Sequence, residues 1–224
     1  METKNEVPTA AGLASSASGF AALALALNAF FGWNLDRRQC SILARLGSGS
    51  ACRSVYQGFV RWQRGERDDG SDSYAVPLDE SWPTLRLAAL LLSSDEKPLS
   101  SGEAMRQTVA TSPEYAFWPR RVAEDMEAVL SALRRRDFFA FGTAVERNAL
   151  AMHSTMQASV PPVCYWTEKT REAMKTIQRA RESGLEVYFT MDAGPNVKLL
   201  FLQSSMPQMK ELFPKALILT GEEL

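Results

Sequence analysis

Three short stretches of the chain combine residue types that could bind anions and move a proton. Residues 8–19 read PTAAGLASSASG, residues 47–54 read GSGSACRS, and residues 192–196 read DAGPN. Glycine and small side chains let backbone N–H groups approach a ligand, and the free N–H groups at a helix start favour an anion. A rigidly held carboxylate such as Asp192 suits proton transfer from a hydroxyl within hydrogen-bond reach.

Each stretch by itself also has a plain structural interpretation. Residues 8–19 lack the lysine and the glycine spacing of the G-x-x-x-x-G-K-[ST] phosphate loop, and they fit a turn that packs a helix on a sheet. Gly47 and the serines after it fit a helix stop, and Arg53 fits a surface charge at a strand entrance. Asp192 fits a turn aspartate that caps its own backbone.

The order and spacing of the three stretches resemble those of the diphosphomevalonate decarboxylases. These are a decarboxylating branch of the GHMP family of small-molecule kinases, which includes galactokinase, homoserine kinase and mevalonate kinase. The likeness runs through nearly the whole chain. It implies a two-domain, GHMP-kinase-like α+β fold, with an amino-terminal ATP-binding domain that is truncated here and a ferredoxin-like carboxyl-terminal α/β domain.

The resemblance also implies an activity and assigns roles to residues. The reaction is ATP-dependent decarboxylation of mevalonate 5-diphosphate to isopentenyl diphosphate, with release of CO2, ADP and phosphate. Asp192 accepts or orients the proton of the 3-hydroxyl, and Arg53 grips the substrate carboxylate beside it. The substrate diphosphate is bound by Ser48, Gly49 and Ser50, and the ATP phosphates by Ala11, Gly12, Leu13, Ala14, Ser15 and Ser16.

The expected cofactors are ATP and Mg²⁺, with no metal site formed by protein side chains alone. Mg²⁺ keeps several waters and takes few protein ligands, so we expect it to be carried on the triphosphate. His153 is the only histidine and lies on an apolar helix face with Leu150 and Met152. It is therefore predicted to be a packed, hydrogen-bonded core histidine and not an acid or base.

Composition restricts the class of protein and the partners. The chain has 224 residues, of which 46% are hydrophobic and 23% charged, and a net charge of −1, so nothing predicts a broad surface for nucleic acid or membrane. Three cysteines without C-x-x-C spacing favour a reducing cytoplasm. The apolar run at 17–31 is too short and interrupted to span a membrane. The family resemblance also implies that the chain forms a homodimer.

Hydrophobic periodicity and Gly/Pro punctuation predict the elements that must position these residues. Helices are predicted at 17–31, from Asn34 or Asp36 to Gly47, and at 101–111, 115–135, 137–153, 165–183 and 207–212. Strands are predicted at 56–63, 74–78, 85–92, 185–191, 197–202 and 216–219. The polar, proline-containing stretch before residue 84 predicts a domain boundary, with an ATP-binding domain at 1–84 and a carboxyl-terminal domain at 85–224.

Members of the resembled family carry a further segment before the first loop, so the chain is expected to lack the amino-terminal third. Residues 2–7 are predicted to be the strand that feeds the loop. Helix 17–31 is apolar on every face, which predicts burial by surrounding protein. Without the further segment one face would have nothing to pack against, which predicts weak activity and association.

Two other functions fit the same residues. One is a non-catalytic fragment that keeps the carboxyl-terminal part of the fold. The other is a related kinase that phosphorylates the 3-hydroxyl without decarboxylation or acts on a monophosphate. The presence of both Arg53 and Asp192 favours decarboxylation, because a simple kinase need not grip the carboxylate.

Overall fold

The computed structural model describes residues 14–93 and 99–219, so the strand predicted at 2–7 lies outside the described residues. The chain divides into two compact units, Met1–Ser81 and Trp82–Leu224. The assignment of 1–84 and 85–224 to two functional domains stays a prediction.

The described part of the first unit is mostly helical. Its elements are α1 (Ser15–Phe31), α2 (Arg37–Gly47), a 3-10 helix (Gly49–Val55), β1 (Val60–Trp62) and β2 (Ala75–Pro77). Strands β1 and β2 pair antiparallel. The sequence predicted a strand at 56–63, but the structure has a strand only at Val60–Trp62, and a 3-10 helix that the sequence did not predict occupies Gly49–Val55.

Local signals explain where α1 and α2 begin and end. Gly32 ends α1 in the left-handed region (φ 62°), where glycine carries no steric penalty. Asp36 begins α2 with a capping box: its carboxylate accepts from the Gln39 amide at 2.7 Å, and the Gln39 side chain accepts from the Asp36 amide at 2.9 Å. The end of α1 at Gly32 and the start of α2 after Asp36 confirm the sequence prediction.

The buried part of this unit is built from small side chains, which bring the backbones close together. The cluster comprises Ala21, Ala24, Cys40, Ala44, Ala51 and Val55. The buried Ser41 hydroxyl donates to the Cys52 carbonyl and accepts from the Ala75 amide, both at 2.9 Å, which ties α2 to the 3-10 helix and to β2.

Both helices of this unit carry exposed apolar side chains. On α1, Phe30 and Phe31 are 81% and 57% exposed, which agrees with the expectation that one of its apolar faces has nothing to pack against. On α2, the apolar Leu46 is 72% exposed. A periodic pattern shows which side chains are apolar, whereas burial depends on which other segments pack against them.

The second unit is a four-stranded antiparallel sheet with helices packed against it. Its elements are β3 (Leu85–Leu90), α3 (Ser101–Thr111), a 3-10 helix (Pro113–Phe117), α4 (Trp118–Arg135), α5 (Phe138–Gln157), α6 (Glu168–Glu182), β4 (Val187–Thr190), β5 (Val197–Leu202), a 3-10 helix (Gln203–Ser205), α7 (Met206–Leu212) and β6 (Leu217–Ile218). The strand order is β4-β5-β3-β6. These elements confirm the predicted ones to within a few residues at their ends.

Strand β5 lies inside the sheet between β4 and β3. Val197, Leu199 and Phe201 on one face are fully buried in a cluster that includes Ile177 of α6 and Met209 of α7. Helix α5 packs against β4, where Phe138 meets Tyr188 in an edge-to-face contact with centroids 5.4 Å apart. Burial on both faces explains why β5 is almost continuously apolar.

Close contact between α5 and β4 requires a glycine. A Cβ atom at the buried Gly142 would lie 2.0 Å from the Tyr188 ring. A Gly142→Ala variant is therefore expected to lose about 1–3 kcal/mol in its free energy of unfolding, measured in urea, because the ring would have to move within a packed core. Gly102→Ala on α3 is the control, since its nearest neighbour would be Arg106 at 3.6 Å. Equal stability of the two variants would contradict this packing.

Candidate functional site

The first predicted loop ends at the start of α1. Ala14 has a left-handed backbone (φ 58°, ψ 26°), and α1 begins with Ser15 and Ser16. The first turn of α1 contains no acidic residue, so the positive end of the helix dipole suits an anion such as a phosphate. The role of Ala14, Ser15 and Ser16 in binding the phosphates of ATP stays a prediction. Ala11, Gly12 and Leu13, which were predicted to bind them too, lie outside the described residues.

The structure brings the second predicted loop to the first within one unit. Ser48 ends α2, its amide donates to the Ala44 carbonyl at 3.2 Å, and the 3-10 helix of Gly49–Val55 begins immediately after it. The Ser48 hydroxyl lies 3.2 Å from the hydroxyl of Ser16. The hydroxyl predicted to contact the substrate diphosphate thus shares a hydrogen bond with one predicted to contact ATP.

Arg53 lies near the end of the same 3-10 helix, and its side chain is exposed. Its guanidinium carbon is 5.8 Å from the centroid of the Trp62 ring. The preceding residue, Cys52, is fully buried. Burial raises the pKa of the Cys52 thiol, and the positive charge of Arg53 partly opposes that rise. Cys52 is therefore a packed thiol, and Arg53 is the group of this pair that can meet an anion.

The third predicted stretch is a turn between β4 and β5, and buried side chains hold its backbone. The Asp192 carbonyl accepts a hydrogen bond from His153 Nε2 at 3.1 Å and from the Gly194 amide at 2.8 Å. The Thr170 hydroxyl, which is fully buried on α6, donates to the Pro195 carbonyl at 2.7 Å. Because these partners come from α5 and α6, the turn is fixed by the packing of the unit.

Asn196 fixes the other end of this turn. Its side chain is 1% exposed, its Oδ1 accepts from the Leu92 amide at 2.7 Å and from the Ser93 amide at 3.1 Å, and its Nδ2 donates to the Ser93 carbonyl at 3.0 Å. The turn is thereby tied to the backbone that follows β3. The sequence analysis did not single out Asn196, although a buried amide beside Gly-Pro is a signal for such backbone bonding.

The Asp192 carboxylate forms an ion pair with the ammonium of Lys198, and their side chains are 50% and 15% exposed. Lys198 lies on β5 opposite Thr190 of β4, so the pairing register brings it to the turn. Lys198 was not among the residues predicted from the sequence. The signal was a single charged residue in the otherwise apolar strand VKLLFL. The carboxylate is half exposed and therefore accessible to a substrate, whereas the backbone beneath it is buried.

His153 is 1% exposed, and its ring centroid lies 5.3 Å from that of Trp166. Burial lowers the pKa of His153 from 6.5 to about 4, because the charged imidazolium is disfavoured away from water, and the Asp192 carbonyl only partly opposes this effect. The prediction of a packed, hydrogen-bonded core histidine is confirmed. Its neutral ring donates through Nε2 to the backbone of the predicted catalytic residue.

Two family models match most of the chain. Residues 1–75 match the diphosphomevalonate decarboxylase-like N-terminal domain, and residues 88–222 match the mevalonate 5-diphosphate decarboxylase C-terminal domain. The chain belongs to the diphosphomevalonate decarboxylase family.

Individual family members are similar over nearly all of this chain. The diphosphomevalonate decarboxylase of Eremothecium gossypii is 42% identical over 209 residues, covering 89% of this chain and 52% of that protein. The structure of MDDEF in complex with MVAPP, AMPPCP and magnesium is 41% identical with a TM-score of 0.88, covering 95% of this chain and 68% of that one. The mevalonate diphosphate decarboxylase from Enterococcus faecalis is 40% identical with a TM-score of 0.86, and the match covers 95% of this chain and 67% of that one.

These structures confirm the GHMP-kinase-like α+β fold that the resemblance implied. The chain spans about half the length of the curated decarboxylases it matches. Within residues 14–93 and 99–219, no group of three or more His, Cys, Asp or Glu side chains could hold a metal ion. None of the helices in these ranges is long and apolar enough to cross a membrane.

The depressed pKa of His153 makes the stability of this decarboxylase-family chain depend on pH. Between pH 6.5 and about 4 the unfolded chain binds a proton at this ring that the folded chain does not bind, so stability falls as the pH falls through this window. From pH 7.5 to 5 we expect a loss of roughly 2 kcal/mol through His153.

The check compares urea unfolding of the parent with that of His153→Gln at both pH values. Glutamine does not titrate, so the difference in unfolding free energy between the two proteins isolates the contribution of His153 from that of the carboxylates. A difference that is the same at pH 7.5 and pH 5 would show that His153 is not held neutral in the folded chain.

Proposed function

We propose that this chain contributes the reaction of its family, the ATP-dependent decarboxylation of mevalonate 5-diphosphate to isopentenyl diphosphate. The observation that carries the proposal is the half-exposed Asp192 carboxylate, placed on a turn whose backbone is fixed by His153, Thr170 and Asn196. A base on a rigid support suits proton transfer, because catalysis depends on a geometry that is already formed before the substrate binds.

We assign Asp192 to the 3-hydroxyl of the substrate. Its carboxylate accepts or orients the hydroxyl proton, and the pairing with Lys198 keeps a positive charge beside the anion. ATP supplies the phosphoryl group that converts this hydroxyl into a leaving group. When phosphate departs with the carbon–oxygen electron pair, the bond to the carboxylate breaks, its electrons form the new double bond, and CO2 is released.

We assign the remaining contacts to the first unit. The Arg53 guanidinium grips the substrate carboxylate through its planar fork, and this geometry suits an arginine better than a lysine. The hydroxyls of Ser48 and Ser50 and the amide of Gly49 meet the substrate diphosphate. The start of α1, with Ser15, Ser16 and the loop at 11–14, meets the ATP phosphates, and Mg²⁺ is carried on the triphosphate.

The test is an assay of this 224-residue chain that follows ADP release and CO2 release together, with mevalonate 5-diphosphate and MgATP. The proposal predicts equal amounts of both products. ADP without CO2 would identify a kinase that stops at the phosphorylated intermediate. The absence of both products, in a chain whose circular dichroism shows it to be folded, would identify a non-catalytic fragment.

We also propose that the chain acts in the cytoplasm and forms a homodimer with small molecules as its only other partners. Three free cysteines, two of them buried, support a reducing compartment. The homodimer rests on the family resemblance. Sedimentation equilibrium measures the mass in solution, and a monomer at all concentrations would contradict this part of the proposal.

A further inference from the structure

The indole of Trp62 lies in a fixed orientation at the end of β1. Its Nε1–H donates to the hydroxyl of Ser73 at 3.1 Å. Ser73 is 5% exposed, and it is itself held, since its hydroxyl donates to the Gln63 carbonyl at 3.3 Å and its carbonyl accepts from Arg45 Nε at 3.0 Å. A half-buried ring with its polar group bonded to a buried partner cannot rotate without losing that bond.

This ring contacts both ends of the 3-10 helix Gly49–Val55. At one end, a Cβ atom on Gly49 would lie 2.9 Å from Trp62 Cη2, so the backbone of Gly49 rests directly against the ring. At the other end, the Arg53 guanidinium carbon lies 5.8 Å from the ring centroid, within the range of a cation–π contact. A single rigid side chain therefore supports two residues that are assigned to different anionic groups of the substrate.

We infer that Trp62 is a positioning residue that holds Gly49 and Arg53 in the geometry that binds a substrate bearing both a carboxylate and a diphosphate. This inference rests on the proposed function, because it takes its two anionic groups from the substrate assigned there. The role inferred for Trp62 is indirect. Trp62 acts by restricting the exposed Arg53 side chain, which in water would otherwise sample many rotamers and lose that entropy on binding.

The support by Trp62 also explains the glycine at position 49. A larger residue would have to displace an indole that is fixed through Ser73, and this would move the backbone of the loop that is assigned to the diphosphate. No local pattern indicates this role, because Trp62 is nine residues after Arg53 and in a different element.

The experiment compares Trp62→Leu and Trp62→Phe with the parent chain. Phenylalanine keeps an aromatic face but loses the bond to Ser73, whereas leucine removes the face as well. Trp33→Leu is the matched control, since Trp33 is a 47% exposed indole of the same unit that stacks on Phe31 and contacts neither Gly49 nor Arg53. Circular dichroism establishes whether each variant is folded. If Trp62→Leu does not fold, the comparison is made with Trp62→Phe alone.

The first measurement is made without substrate: the order parameter of the Arg53 Nε–H bond from ¹⁵N relaxation. We expect it to fall in Trp62→Leu, to fall less in Trp62→Phe and to stay at the parent value in Trp33→Leu. The Nε–H of the exposed Arg61 on β1 should not change in any of them. An Arg53 order parameter that is unchanged when Trp62 is replaced would overturn the inference, whether or not the chain turns over substrate.

The second measurement is calorimetric binding. In Trp62→Leu the Kd for mevalonate 5-diphosphate should rise about 3- to 10-fold, as expected for a lost cation–π contact and a loosened backbone. The Kd for a non-hydrolysable ATP analogue should change less than about 2-fold. If Trp62 only stabilised the fold, its replacement would weaken the binding of both ligands to the same extent, and that result would overturn the inference. A parent chain that binds no mevalonate 5-diphosphate, with Arg53 still ordered by Trp62, would instead refute the proposed substrate.

Discussion

Asp192→Asn is expected to lower the rate of coupled ADP and CO2 release by about 10²–10⁴-fold, with little change in melting temperature. Asparagine has the same shape as aspartate but cannot accept the hydroxyl proton as a carboxylate does. The hydrogen bond from His153 is made to the Asp192 backbone carbonyl, so the substitution leaves the support of the turn intact. The effect should therefore appear in kcat and not in folding.

The control for this prediction is Lys198→Met, which removes the same ion pair but keeps the carboxylate. Because the carboxylate that handles the proton remains, this variant should lose much less activity than Asp192→Asn. Equal losses in the two variants would assign the effect to the ion pair. A near-normal rate in Asp192→Asn would show that Asp192 is only a turn residue.

Arg53→Lys is expected to lower kcat/KM by about 30- to 1,000-fold, which corresponds to about 2–4 kcal/mol of transition-state stabilisation. Lysine keeps the positive charge but has no planar fork for a carboxylate. It also cannot place a guanidinium over the Trp62 ring, where Arg53 lies at 5.8 Å. Both losses act on the position of the charge, so the variant tests geometry and not net charge.

Arg61→Lys provides the matched control, because Arg61 is an exposed arginine on the neighbouring β1. Its replacement should leave kcat/KM within about 2-fold, in line with substitutions at exposed surface positions. If Arg53→Lys also works as well as the parent, Arg53 is a surface charge and the carboxylate of the substrate is bound elsewhere.

The types and order of the secondary-structure elements could be predicted from the sequence because their signals are local. The helix at 101–111 was predicted with the bounds that the structure has, since Ser100 begins it with a capping box to Glu103 and Ser112-Pro113 ends it. The turn at 192–196 and its two flanking strands were likewise predicted, because Gly-Pro between two apolar runs indicates a tight connection.

Burial was harder to predict than element type. Leu46 is apolar and lies in a helix, as predicted, yet it is exposed. Hydrophobic periodicity identifies a face that can be buried, but the segment that covers it comes from a distant part of the sequence. The same limit explains the missed 3-10 helix, which is held by the Ser41 hydroxyl of α2 and not by a pattern of its own.

For the site, the sequence by itself determined which residue types are present and how they are spaced in three short stretches, and this was enough to indicate the family. Only the tertiary structure decided what supports them. It placed the Ser48 hydroxyl beside that of Ser16, 32 residues away, and tied the Asn196 side chain to Leu92, 104 residues away. Such contacts are set by how the elements pack, and no local pattern encodes a partner at that separation.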